Sequence, residues 1–174
     1  LGFELYIHMN DAKEIYNSIV EKGKEFSLSH CGMLAMDTMR METGYLHWGH
    51  DMSPEENQYE AGLKFAISYK KNIDFVGKES LLKIKDKKNN KKFVMLVLQD
   101  NKPGEPLLLH DEPIYKDKEI IGRTTSGNYS FNYNKNLAFG YINFDLSIEE
   151  LAKTSLYIEV EKKKYPTSII LKPL

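Results

Sequence analysis

The run Lys85-Asp-Lys-Lys-Asn-Asn-Lys-Lys92 contains no apolar residue, and the chain has a different texture on either side of it. A stretch this polar cannot be buried, so it reads as a solvated linker or exposed hairpin and marks a domain boundary. A nucleic-acid patch is the less favoured reading, because no aromatic side chain is interleaved to stack on bases. Beyond it lie short β-type segments separated by turns: Phe93–Gln99, Glu112–Tyr115, Ile120–Thr125, Ala138–Asn143, Ser155–Val160 and Ser168–Leu171. This spacing predicts a small Greek-key β-barrel, jelly-roll-like, over 87–174. Asp117-Lys118 is the expected hairpin tip and Gly127-Asn128 a turn. Ser147 and Glu150, three apart, form a capping box for one helical turn. There is no internal repeat.

Residues 1–86 mix helix and strand signals, so the fold class is α+β. Residues 3–8 alternate and are β-rich, which predicts a strand. Ile15, Ile19 and Val20 follow the cap residues Asn10-Asp11, predicting a helix over 11–22 that ends before Gly23. Gly32 opens a second helical pattern, rich in methionine (Met33, Met36, Met39, Met41), which Gly44 closes. A methionine face of this kind is either core packing, the reading preferred here, or a soft ligand wall. Residues 45–62 are too polar and broken for regular structure, and long ordered loops are often functional. Residues 63–69 read as a strand, and 75–85 as a turn entering a short helix.

Composition narrows the function class. The chain has 174 residues, 41% of them hydrophobic, enough for packed cores and too many for disorder. The 24 basic residues nearly balance the 25 acidic ones, unlike a general nucleic-acid or membrane-surface binder. The longest apolar run, Phe93 to Leu98, is far below the ~18 residues of a membrane span. Cys31 is the single cysteine, which excludes an internal disulfide and a CxxC site and fits a reducing, cytoplasmic setting. The chain starts at Leu1 without a signal-peptide pattern, which suggests a piece of a longer polypeptide. Of the basic residues 22 are lysine, and only Arg40 and Arg123 are arginine. Together with frequent Asn and Ile this suggests AT-rich codons, and an arginine kept under that bias is read either as a place that needs a planar multi-donor fork or as a chance survivor.

Several chemistries have no motif. GxGxxG, the phosphate loop, GxSxG and HExxH are all missing. His47, His50 and Asp51 could suggest a metal pair, but Gly49 lies between the histidines in a loop, and loop packing is the better reading. His30 and Cys31 are adjacent and point apart, which disfavours a nucleophile pair. Glu42 stands out. It sits in an apolar stretch at a helix C-terminus, where a carboxylate is electrostatically disfavoured and needs a partner. That partner is either Arg40 or a backbone amide, or else a ligand with parallel N–H donors such as a pterin edge.

These residues carry a resemblance. Gly2-Phe3-Glu4-Leu5-Tyr6, Asp37-Thr38-Met39-Arg40-Met41-Glu42-Thr43-Gly44, Glu60-Ala61-Gly62-Leu63 and Asp74-Phe75-Val76-Gly77-Lys78-Glu79-Ser80-Leu81 resemble successive segments of the aminomethyltransferases, the T-proteins of the glycine cleavage system. Thr124-Thr125-Ser126-Gly127 resembles the turn of that family's C-terminal barrel. Trp48-Gly49-His50-Asp51-Met52-Ser53-Pro54, Glu112-Pro113-Ile114-Tyr115 and Ile121-Gly122-Arg123 are similar to the folate-binding tail of dimethylglycine and sarcosine dehydrogenases. Tyr59 departs from the small residue or proline usual before Glu-Ala-Gly-Leu.

The resemblance implies that 1–86 is the later part of a folate-binding domain and 87–174 its C-terminal barrel. The cofactor it implies is tetrahydrofolate, with FAD in a preceding part that would oxidise an N-methyl amine, giving 5,10-methylenetetrahydrofolate. The family's pteridine-contacting glutamate falls on Glu42, and Arg40 in the same segment more readily props the helix. Tyr45 and Trp48 are read as nearby ring-stacking or wall residues, and Lys71 lies near a basic position used by some members. No catalytic residue is expected in this chain, because the family's aspartate precedes Leu1, and no metal is expected. The partners are folate, a small methylated amine and the remainder of the same polypeptide, with no nucleic acid or membrane and with a homo-oligomer possible. A eukaryotic source would put it in the mitochondrial matrix. Two alternatives remain: a T-protein without flavin, and a non-enzymatic iron–sulfur assembly relative. The latter branch carries Lys-Gly-Cys where this chain has Glu42-Thr43-Gly44.

Overall fold

The computed structural model describes residues 2–99 and 102–174. The chain falls into two compact units, the first ending at Met33 and the second beginning at Leu34. The first is built on helix α1 (Ala12–Gly23), flanked by 3-10 turns at Met9–Asp11 and Lys24–Phe26. The Tyr16 hydroxyl and His30 Nε2 share a hydrogen bond of 2.7 Å. The strand expected at 3–8 is not formed: these residues are exposed and non-repetitive. Alternation suits a sheet, but a strand exists only where a neighbour completes its backbone ladder.

Helix α2 (Met33–Glu42) follows, and all of it after Met33 belongs to the second unit. It ends as the sequence predicts, in a Schellman motif: Tyr45 N–H donates to Arg40 O at 2.8 Å and Gly44 N–H to Met41 O at 3.3 Å. Gly44 takes φ +75°, and a Cβ there would sit 3.0 Å from Pro173 Cγ, so glycine satisfies both needs. Only one of the four methionines packs in the core. Met41 is buried, whereas Met33, Met36 and Met39 are exposed, so the core reading of the methionine face fails for three of them. After loop 45–62, the strand expected at 63–69 is replaced by a 3-10 turn at Lys64–Ala66, again without a ladder partner. Helix α3 (Lys78–Ile84) follows, close to the predicted position.

Among the described residues, six strands then close a barrel: β1 (Lys91–Leu98), β2 (Pro113–Lys116), β3 (Glu119–Ser130), β4 (Lys135–Asn143), β5 (Leu156–Val160) and β6 (Lys163–Ile170). Their order is β1-β4-β3-β2-β5-β6, with every neighbouring pair antiparallel. Helix α4 (Ile148–Leu151) joins β4 to β5 and carries the expected Ser147–Glu150 capping box. Closure leaves no sheet edge to protect.

The apolar run of β1 has two destinations. Val94, Leu96 and Leu98 point inward with Ile114, Ile142, Leu156 and Ile158, while Phe93, Met95 and Val97 pack outside against Met41, Leu137 and Phe139. A strand covered on both faces reads as continuous hydrophobicity. Strand β3 runs through Gly127-Asn128, and the turn falls instead at 131–134. The ladder continues there, with Gly127 opposite Ala138 and Asn128 opposite Leu137. Gly122 marks the tightest approach of β3 to β4, because a Cβ would meet Tyr141 O at 2.0 Å.

Candidate functional site

Helix α2 delivers two side chains to the outer wall of the barrel. Arg40 lies over the Phe139 ring at 5.8 Å and spreads its guanidinium among three elements. Nε donates to Asp37 at 2.7 Å, Nη1 to Asp51 at 2.6 Å and Nη2 to Ser126 Oγ at 2.9 Å. A fork of fixed geometry suits this, and lysine could not span it.

Asp51 is 1% exposed. Its Oδ2 also accepts from His47 N–H at 2.8 Å. Its Oδ1 accepts from Thr125 Oγ1 at 2.6 Å and Ser126 Oγ at 2.7 Å. Adjacent strand residues normally face opposite sides, yet both hydroxyls reach one oxygen. The cause is an irregularity in β3 between Thr124 and Ser126, where the register against β4 shifts. Such bulges re-aim side chains.

Glu42 is 6% exposed, two residues along the helix. Its partner is neither Arg40 nor a backbone amide, the two protein partners expected from sequence. Ser130 Oγ donates to Oε1 at 2.5 Å and Asn132 Nδ2 to Oε2 at 2.7 Å. The Ser130 hydroxyl in turn accepts Tyr133 N–H at 3.1 Å, which commits its own proton to Glu42. The Glu42 carbonyl accepts Leu174 N–H at 3.2 Å.

Of the other expected residues, Tyr45 is 69% exposed beside Arg40, whose Nη1 meets its carbonyl at 3.3 Å, and Trp48 is 62% exposed. Lys71 lines a separate cavity of about 470 Å³ with Ile67, Phe75 and Leu81, which includes none of the other four. The structure thus gathers Arg40, Glu42 and Tyr45 at the end of α2 and leaves Lys71 elsewhere. The His47 and His50 rings lie against each other, tilted by 34° with centroids 4.6 Å apart, within a loop closed on Asp51. They share a cleft of about 180 Å³ with Asp37, Arg40, His110 and Ser126. An apolar groove of about 550 Å³ runs past Leu34, Met39, Leu107, Leu109, Tyr129 and Phe131, the last two flanking Ser130 in sequence. A larger cavity of about 740 Å³, around Lys102, Pro106 and Tyr165, contains none of the expected site residues.

Sequence reasoning passed over Asp51 as a hub and missed Ser126, Ser130 and Asn132 altogether. The last two lie 88 and 90 positions from Glu42, beyond any local spacing. The rarity of arginine pointed to Arg40 and equally to Arg123, whose side chain is 71% exposed and paired with Asp111 at the surface. Loop 45–62 is pinned elsewhere too: Lys91 Nζ reaches Glu56 at 2.6 Å and Phe93 N–H donates to Glu60 O at 2.8 Å. Burial pushes the Glu56 carboxyl up, but hydrogen bonds from Lys91 and Ser53 outweigh it and hold it below 4.5. Tyr141 lies close by, its hydroxyl buried without a partner among the described residues and its pKa raised, first by that burial and then by Glu56, Asp51 and Glu60.

The helix-end carboxylate lies in the stretch matched by one family model, and its hydroxyl and amide donors lie in the stretch matched by another. Residues 1–71 match the GCVT N-terminal domain and residues 91–174 the glycine cleavage T-protein C-terminal barrel domain. The chain belongs to the glycine cleavage T-protein family. Human mitochondrial dimethylglycine dehydrogenase is 35% identical over 175 residues, covering the whole chain and 19% of that protein. The aminomethyltransferase of Symbiobacterium thermophilum is 35% identical over 141 residues, covering 81% of the chain and 36% of that protein. This T-protein family chain therefore spans about a fifth and about a third of the two relatives. Its fold matches the crystal structure of glycine cleavage system aminomethyltransferase T from Bartonella henselae, with TM-score 0.77 over 92% of this chain and 44% of that one, at 22% identity.

Proposed function

We propose that this chain is the tetrahydrofolate-binding C-terminal portion of an FAD-dependent N-methyl amine dehydrogenase or oxidase. Residues 1–86 are the later part of its folate-binding domain and 87–174 its barrel domain. The observation that carries the reading is coverage: a dimethylglycine dehydrogenase aligns along the entire chain at 35% identity. The chain itself holds no dinucleotide motif, so the flavin chemistry belongs to the rest of the parent polypeptide. Tetrahydrofolate accepts the one-carbon unit released by amine oxidation.

Glu42 is the residue proposed to recognise the pterin. A carboxylate offers about four acceptor positions. Ser130 and Asn132 each take one, so two acceptor positions remain for parallel N–H donors. The groove past Met39, Tyr129 and Phe131 offers apolar wall on the same helix and strand, although Glu42 does not itself line it. Tyr45 and Trp48 offer exposed ring faces, Arg40 holds the helix in place, and Lys71 is kept as an outlying basic contact.

Two measurements on the full-length parent test this. A visible flavin spectrum that bleaches on adding dimethylglycine or sarcosine is expected. A colourless parent that instead releases methylene groups from a lipoyl carrier protein would mean a T-protein without flavin, the reading favoured by the 35% identical aminomethyltransferase. The isolated chain is expected to show no amine oxidation and no methylenetetrahydrofolate formation above a buffer control.

A further inference from the structure

We propose that Ser130 and Asn132 are positioning residues for Glu42, so that the barrel sets the orientation of the folate-recognising carboxylate. This rests on the assignment of Glu42 above and deepens it.

Glu42 is the last residue of α2, where the next turn cannot restrain it, and a glutamate side chain has considerable rotamer freedom to lose. Recognition of a flat heterocyclic edge needs the two carboxylate oxygens in one defined plane. In this structure each oxygen is tied separately, Oε1 by Ser130 at 2.5 Å and Oε2 by Asn132 at 2.7 Å. Two donors on different oxygens fix the plane, where one would leave it free to turn.

The donors are themselves fixed. Ser130 is fully buried at the end of β3. Its hydroxyl cannot swing away from Glu42 without giving up the Tyr133 N–H that it accepts across the same turn. Asn132 stands on that turn, between β3 and β4, so the barrel's own hairpin geometry sets where both donors lie. A ligand that meets Glu42 finds the carboxylate already oriented, and no rotamer entropy is lost on binding.

The test is a calorimetric titration of the full-length parent with tetrahydrofolate, with a thermal melt for each variant. Ser130→Ala is expected to weaken folate binding about tenfold, the size of one lost charge-assisted hydrogen bond. Ser130→Thr should restore most of it. Added to Glu42→Gln, Ser130→Ala should cost nothing further, because the group it positions is already gone. Asn132→Ala, on an exposed turn, gives an independent reading should Ser130→Ala fail to fold, and is expected to weaken binding severalfold with the same loss of effect beside Glu42→Gln. Wild-type affinity in the Ser130 and Asn132 variants, with Glu42→Gln still weakened, overturns the positioning role and leaves the folate reading standing. Losses that add fully to that of Glu42→Gln also overturn it. Normal affinity in Glu42→Gln itself overturns both.

Discussion

Asp51 and Glu42 are two buried carboxylates that α2 and the loop after it press against the same barrel strand, and they differ in how fully they are bonded. Asp51 receives four donors: Arg40, His47, Thr125 and Ser126. Those fill the acceptor positions a carboxylate has. Glu42 receives two, both neutral, from Ser130 and Asn132. A saturated carboxylate holds elements together, while one with open positions can still take a ligand. The difference separates a saturated hub from the carboxylate proposed to recognise folate, only nine residues apart in sequence.

Breaking the saturated hub should have the largest effect. Asp51→Ala leaves Arg40 buried with one of its two carboxylates gone, and is expected to destabilise the parent by about 3–5 kcal/mol, read as a large fall in thermal midpoint. Glu42→Gln should cost about 1.5–3 kcal/mol in tetrahydrofolate affinity by calorimetry, with amine-driven flavin reduction unchanged. If Glu42→Gln instead destabilises like Asp51→Ala and leaves folate affinity alone, the two carboxylates are both structural. Arg40→Lys sharpens the same contrast: a single ammonium cannot reach Asp37, Asp51 and Ser126 together, so stability should fall by about 1–2 kcal/mol while folate affinity stays near normal.

The smallest effect concerns the loop that carries Asp51. Glu56 has its carboxyl lowered from 4.5 in the folded protein, so its contribution is complete above that value and is lost as pH falls through the lower folded one. Lys91→Met should therefore lower stability modestly at neutral pH, where the contribution is complete, and change it little at acid pH, which flattens the acid limb below 4.5. A wild-type acid limb in Lys91→Met would show that the Glu56 contact does not anchor the loop.

The barrel was legible in the chain because period-two apolar patterns and turn residues are local signals, and all six strands appeared near their expected places. The misplacements share one cause. Residues 3–8 and 63–69 have strand-like composition but, among the described residues, no strand that pairs with them, whereas Gly127-Asn128 has turn composition and sits inside an intact ladder. Pairing overrides propensity in both directions. The methionine face of α2 failed similarly, since helical spacing shows that side chains share a face and not whether anything covers it.

At the site, sequence alone picked out Arg40 and Glu42: the one as a rare fork under a lysine-rich bias, the other as a carboxylate at an unfavourable helix end. It also placed the helix stop at Gly44, because a left-handed cap is a local requirement that glycine meets. What only the tertiary structure decided is whom these residues meet. Arg40 and Glu42 are near neighbours on one helix, and local reasoning pairs them. The fold sends Arg40 to Asp51 and Ser126 and Glu42 to Ser130 and Asn132, because barrel closure and the shifted register of β3 line up hydroxyls whose positions no spacing in the chain encodes.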